Sequence, residues 1–130
     1  MIEIKATMPK KVLIADDEPN IVISLEFLLK REGFEVWVAG DGEIALEMIE
    51  KHRPDLVLLD VMMPKKNGYE VCQKIRATPE WQATKVIMLT AKSRDVDITK
   101  GMALGVDAYV TKPFSTQALI ADAKRMLGLA

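Results

Sequence analysis

Five short apolar runs, each followed by a segment with helical spacing, limit this chain more than any other feature. They are Val12–Ala15, Phe34–Ala39, Leu56–Leu59, Val86–Leu89 and Val106–Val110. Strands alternating with helices in this way predict a parallel sheet with helices on both faces, joined by right-handed crossovers. Four of the runs are almost continuously apolar, as strands covered on both sides must be. The run from Phe34 to Val38 is interrupted by Glu35, which assigns it to an edge.

The intervening segments read as five helices. Ile21, Leu25, Leu28 and Leu29 share one face of the first, and Gly33 stands where a helix end needs a left-handed residue. Asp41 can cap a second helix carrying Ile44, Ala45, Met48 and Ile49, and Pro54 stops it. A third is predicted over about Tyr69–Ala77, a fourth over about Arg94–Leu104 and a fifth over about Ser115–Leu127. Cys72 shares the inner face of the third with Val71 and Ile75 and is expected to be a core thiol. His52, between Lys51 and Arg53, is expected to be solvated at a helix end.

At 130 residues and 49% hydrophobic, the chain fits one domain, residues 11–130, preceded by a short lead-in over residues 1–10. The lead-in lacks the apolar stretch of a signal peptide or membrane span. A formal charge of −1 gives no basic footprint for direct nucleic-acid binding. A single cysteine excludes an intramolecular disulfide and suits a reducing, cytoplasmic location.

In an open α/β sheet, ligands sit beyond the carboxyl ends of the strands. There the sequence places Asp16-Asp17-Glu18 after the first strand, Asp60 after the third, Thr90 after the fourth and Lys112 after the fifth. An Asp pair after a strand often only caps a helix, and Lys112 or Thr90 alone would be unremarkable. Converging, they acquire a chemistry. Clustered carboxylates repel one another and are relieved by protonation or by a hard cation with oxygen ligands, for which Mg²⁺ is the natural candidate. Lys112 can neutralise a transferring phosphoryl group and Thr90 can donate to it, which leaves Asp60 as the nucleophile.

These residues resemble the receiver domains of two-component signalling: Asp16-Asp17, Asp60 within Leu58-Leu59-Asp60-Val61-Met62-Met63-Pro64, then Gly68, Thr90-Ala91 and Lys112-Pro113-Phe114, in order, from Lys11 to about Leu127. The resemblance implies a flavodoxin-like, doubly wound sheet of five parallel strands in the order 2-1-3-4-5, with five helices. It implies phosphorylation of Asp60, and Mg²⁺ held by Asp17, Asp60 and the backbone carbonyl of Met62, with Asp16 acting through water. Lys112 is expected to pair with the phosphoryl group after a cis peptide bond at Lys112-Pro113. Thr90 and Tyr109 are the expected switch residues, remodelling a face made by the fourth helix, fifth strand and fifth helix. Met62 and Lys92 are expected to tune the phosphoryl lifetime. The implied partners are a sensor histidine kinase or histidine phosphotransfer protein and a downstream protein bound at that face. The implied state is a monomer or a weak, phosphorylation-dependent dimer.

Rival chemistries fit less well. An aspartate-nucleophile phosphatase needs a second Asp two residues after the first, where this chain has Met62, which cannot transfer a proton. Flavin phosphate would meet the acidic Asp16-Asp17-Glu18 turn, and no Gly-rich nucleotide loop is present. The remaining alternative is a receiver-shaped interaction module that works without phosphorylation.

Overall fold

A computed structural model of the chain describes residues 9–91 and 102–129. Its strands are β1 (Lys11–Ala15), β2 (Glu35–Ala39), β3 (Leu56–Asp60), β4 (Lys85–Thr90) and β5 (Ala108–Thr111). They form one sheet in the order β2-β1-β3-β4-β5, and every neighbouring pair is parallel. Four helices lie among the described residues: α1 (Pro19–Arg31), α2 (Gly42–His52), α3 (Gly68–Ala77) and the C-terminal α4 (Thr116–Met126). The helix expected over about Arg94–Leu104 falls largely outside the described residues, as does Lys92.

Alternation along the strands builds two cores. Leu13, Ala15, Val57, Leu59, Val86 and Met88 meet Ala45 and Ile49 of α2 and Val71, Cys72 and Ile75 of α3. Their neighbours Val12, Ile14, Leu56, Leu58, Ile87 and Leu89 point the other way, onto Leu25 and Leu29 of α1 and Leu119 and Ala123 of α4. Each large aliphatic side chain buried this way contributes roughly 1.5–3 kcal/mol. The sheet is therefore held rigidly from both sides, and its strand ends are fixed points for a site.

Helix ends follow local chemistry. Gly33 has φ +97°, its N–H donates to Lys30 O at 3.0 Å, and Phe34 N–H reaches Leu29 O at 3.1 Å, which satisfies the last carbonyls of α1. The Asp41 carboxylate accepts from Ile44 N–H at 2.8 Å to start α2. Asn67 and Glu70 form a reciprocal capping box on α3, with both bonds at 2.9 Å.

Two expectations change and one alternative falls away. The last apolar run is not a strand buried on both faces: Val106 is a core residue ahead of the strand, and β5 starts at Ala108 and is only half-buried, since an edge strand has a neighbour on one side only. His52 is half-buried rather than freely solvated, because the last turn of α2 lies over edge strand β2 and stacks the imidazole on Trp37, with ring centroids 4.3 Å apart and planes at 18°. Neither Asp16 nor Asp17 occupies the N-cap of α1; Glu18 does, with no side-chain capping bond. Cys72 is a core thiol as expected, fully buried, and burial raises its pKa. Among the described residues no helix is long and apolar enough to cross a membrane.

Candidate functional site

The pairing of β1 with β2 continues one residue past the strand, through Asp16 N–H to Ala39 O at 3.1 Å, and this places Asp16 at the sheet's carboxyl edge. Its side chain then turns the chain by accepting from Glu18 N–H at 2.9 Å, and Pro19 opens α1. Asp16 is 1% exposed, while Asp17 beside it faces solvent.

Asp60 is the last residue of β3 and only 4% exposed. Its Oδ1 faces the Met62 N–H at 3.4 Å, the long end of hydrogen-bonding reach. The loop that follows returns tightly: Gly68 N–H donates to Val61 O at 2.9 Å. A Cβ on Gly68 would sit 2.4 Å from Asp60 O and 2.9 Å from Val61 Cα, so only glycine lets α3 start against the main chain of Asp60.

Thr90 ends β4 and is fully buried. Lys112 follows β5, its N–H bonded to Thr90 O at 2.7 Å, and the Lys112-Pro113 peptide is cis, as the resemblance implied. The Lys112 ammonium lies 3.0 Å from Asp16 Oδ2, 2.5 Å from Glu18 Oε1 and 3.5 Å from Asp60 Oδ1. Oxygens of Asp16, Asp17 and Asp60 all lie within 4.8 Å of one another. The structure thus brings together Asp16, Asp17, Asp60 and Lys112, with Thr90 one strand over, at the carboxyl ends of the strands.

Electrostatics follow from this crowding. Burial, and after it the charge of Asp16, pushes the Asp60 carboxyl up to about 6, even though Lys112 and the Met62 N–H pull the other way. Burial also works against the Lys112 ammonium, but its hydrogen bonds to Glu18 and Asp16 outweigh that and raise its pKa. Among the described residues, Asp16, Glu18 and Asp60 meet one ammonium, that of Lys112, with Asp17 beside them. A surplus of negative charge on an all-oxygen donor set fits a hard divalent cation.

Tyr109 sits on β5 opposite Met88 and packs against the core beneath α2 and α3. Its hydroxyl is buried, with no hydrogen-bond partner among the described residues, so its polar tip is already turned away from water. Met62, by contrast, is 62% exposed. Sequence reasoning assigned Glu18 no role; its charge was visible, but its contact with Lys112 spans 94 residues and has no local signal.

Residues 12–124 match the response regulator receiver domain family. A putative response regulator from Chloroflexus aurantiacus is 35% identical, with a TM-score of 0.87 over 93% of this chain and 99% of that one. The chemotaxis response regulator CheY4 of Vibrio cholerae is 31% identical, TM-score 0.86, over 92% and 99%. The BeF3-activated N-terminal receiver domain of Klebsiella pneumoniae RstA is 29% identical, TM-score 0.84, over 91% and 98%. With its sheet order, its strand-end carboxylates and this match across most of its length, the chain belongs to the response regulator receiver domain family.

Proposed function

We propose that this receiver domain takes a phosphoryl group onto Asp60 from the phosphohistidine of a sensor kinase or histidine phosphotransfer protein, and that the modified form signals to a downstream protein. The observation that carries this reading is a 4%-exposed carboxylate at a strand end, 3.5 Å from an ammonium and within 4.8 Å of two further carboxylates. A carboxylate oxygen of Asp60 attacks phosphorus as the bond to the donor nitrogen breaks, leaving an acyl phosphate on Asp60 and, because the donor ring is protonated on its other nitrogen, a neutral imidazole on the donor. Lys112 moves from the resting carboxylates to the phosphoryl oxygens and offsets their charge. Thr90, at the end of the neighbouring strand, donates its hydroxyl to the same group.

Asp17, Asp60 and the Met62 carbonyl would hold Mg²⁺, with Asp16 supporting it through water; when bound, the ion supplies positive charge that offsets both the clustered carboxylates and the incoming phosphate. The activation of a similar receiver domain by a beryllofluoride supports the reading.

The switch is a population shift toward an arrangement the unmodified chain already reaches. Tyr109, with its hydroxyl buried before any modification, supports this. Its ring and Thr90 lie on the same side of adjacent strands, in register at Met88–Tyr109 and Thr90–Thr111, so a pull on Thr90 is felt along β5. The output is read at the face formed by the expected fourth helix, β5 and α4.

Intact mass after incubation with acetyl phosphate and Mg²⁺ tests the proposal. One phosphoryl group, roughly 80 Da, is expected, absent with chelator and in Asp60→Asn. A folded protein that gains no mass supports the unphosphorylated interaction module instead, and a gain persisting in Asp60→Asn places the acceptor elsewhere.

A further inference from the structure

Lys112 stands among three carboxylates, and Asp60 is not its nearest partner. The ammonium is within hydrogen-bonding distance of Asp16 and Glu18, at 3.0 and 2.5 Å, whereas Asp60 at 3.5 Å is an ion-pair neighbour only. Asp16 is buried and its other oxygen is tied to the turn at Glu18 N–H, so it is a fixed part of the pocket wall. Glu18 differs. Its side chain is 56% exposed and makes no capping bond to α1, yet its backbone is locked at the N-cap by Pro19 and the Asp16 turn. Its carboxylate is therefore spent on Lys112 while remaining able to swing into solvent.

We propose that Glu18 is a resting-state latch on Lys112: it holds the ammonium toward the start of α1 and competes for it with the phosphoryl group arriving on Asp60. This inference rests on the phosphoacceptor reading above and adds a positioning residue that the reading does not need. On phosphorylation, Lys112 leaves Glu18 for the phosphoryl oxygens and the Glu18 carboxylate is released to water. The release also reaches the neighbouring surface. A cavity of about 240 Å³ lies between α1 and the segment after β5, lined by Asn20, Ile21, Lys112, Pro113, Phe114 and Thr116 among others, so the Glu18–Lys112 bridge ties one wall of that cavity to the other.

Affinity for beryllofluoride at saturating Mg²⁺ and physiological salt, read by fluorine NMR, tests the latch. Removing a competitor strengthens binding, whereas ordinary structural damage weakens it, so the sign is diagnostic. Glu18→Gln is expected to bind about fivefold more tightly than the parent chain, the size of one partly exposed ion pair. Glu18→Asp keeps the charge but shortens the reach; it is expected to behave like Glu18→Gln if the contact is the cause, and like the parent if only the charge of the pocket matters, which would overturn the latch. Unchanged or weaker binding in Glu18→Gln also overturns it. A parent chain that binds no beryllofluoride at all would instead remove the phosphoacceptor reading on which the latch stands.

Discussion

The two ends of the sheet both gather charged and polar side chains, but they treat them in opposite ways. At the amino end, carboxylates and carbonyls are matched with donors. Asp55 Oδ2 accepts from Lys11 N–H at 2.8 Å, and Asp107 Oδ2 takes Val86 N–H at 2.8 Å and the Arg76 guanidinium at 3.0 Å. Thr84 donates to Pro54 O at 3.2 Å, while Arg76 also donates to Gly105 O and Thr84 O, both at 2.8 Å. At the carboxyl end, among the described residues, Asp16, Glu18 and Asp60 share the one ammonium of Lys112, and Asp17 adds a further carboxylate beside them. A paired network is what a fold needs; the surplus is the feature on which the proposed phosphoryl and Mg²⁺ chemistry rests. Charge left unbalanced, rather than charge as such, separates the site from the scaffold.

The difference can be broken at either end. The largest effect is expected at the paired end. Arg76→Ala removes the guanidinium donor from two backbone carbonyls and the ion-pair partner of Asp107, and about 3 kcal/mol of stability should be lost, read from the urea midpoint. Mg²⁺ should still stabilise that variant. A loss below about 1 kcal/mol would mean that solvent replaces the guanidinium freely and that the pairing there is ornamental.

At the surplus end the sign reverses. The Asp60 carboxyl is raised from 3.8 to about 6, so between those values the folded chain binds more protons than the unfolded one. Stability from this group therefore falls as pH rises through that window and is level above it. Asp60→Asn removes the ionisable group and should gain about 1–3 kcal/mol at neutral pH without Mg²⁺, a gain that shrinks toward pH 4. Denaturation curves at several pH values decide it; a variant that is less stable than the parent at pH 7 would show that the crowding costs nothing.

The smallest effect sharpens the contrast without altering Asp60. Free Mg²⁺ at about tenfold over its dissociation constant should stabilise the chain by about 1.4 kcal/mol by mass action, and Asp17→Ala should abolish the response. A thermal midpoint that still climbs with Mg²⁺ in Asp17→Ala would put the ion outside this cluster.

Legibility from sequence followed the range of the interactions. Strands covered on both faces announce themselves as apolar runs, and β1, β3 and β4 lie within one or two residues of where Val12–Ala15, Leu56–Leu59 and Val86–Leu89 put them. Strand order came from the resemblance, since periodicity says nothing about which strands are neighbours. The site was legible because each residue ends a strand: Asp16, Asp60, Thr90 and Lys112 needed only the rule that strand ends converge. What escaped notice is carried by side chains that meet across long stretches of chain. Arg76 looks like any basic residue on the last turn of a helix until Gly105 and Asp107 come beside it, 29 and 31 residues on. His52 reads as a surface residue unless the α2 terminus is known to overlie Trp37. The start of the fifth apolar run was misjudged because Val106 is buried without being in a strand.

The bond between Lys112 and Asp16 closes a span of 96 residues, and its timing during synthesis follows from that distance. A growing chain releases β1 and β3 from the ribosome well before β5, so the carboxylates emerge first and remain without their ammonium until the last strand docks. Such an intermediate lacks the ammonium that, on the proposed reading, offsets an incoming phosphate. On the phosphoacceptor reading proposed above, competence is thereby deferred until β5 has docked, and a product cut short before Lys112 would lack the ammonium that reading requires.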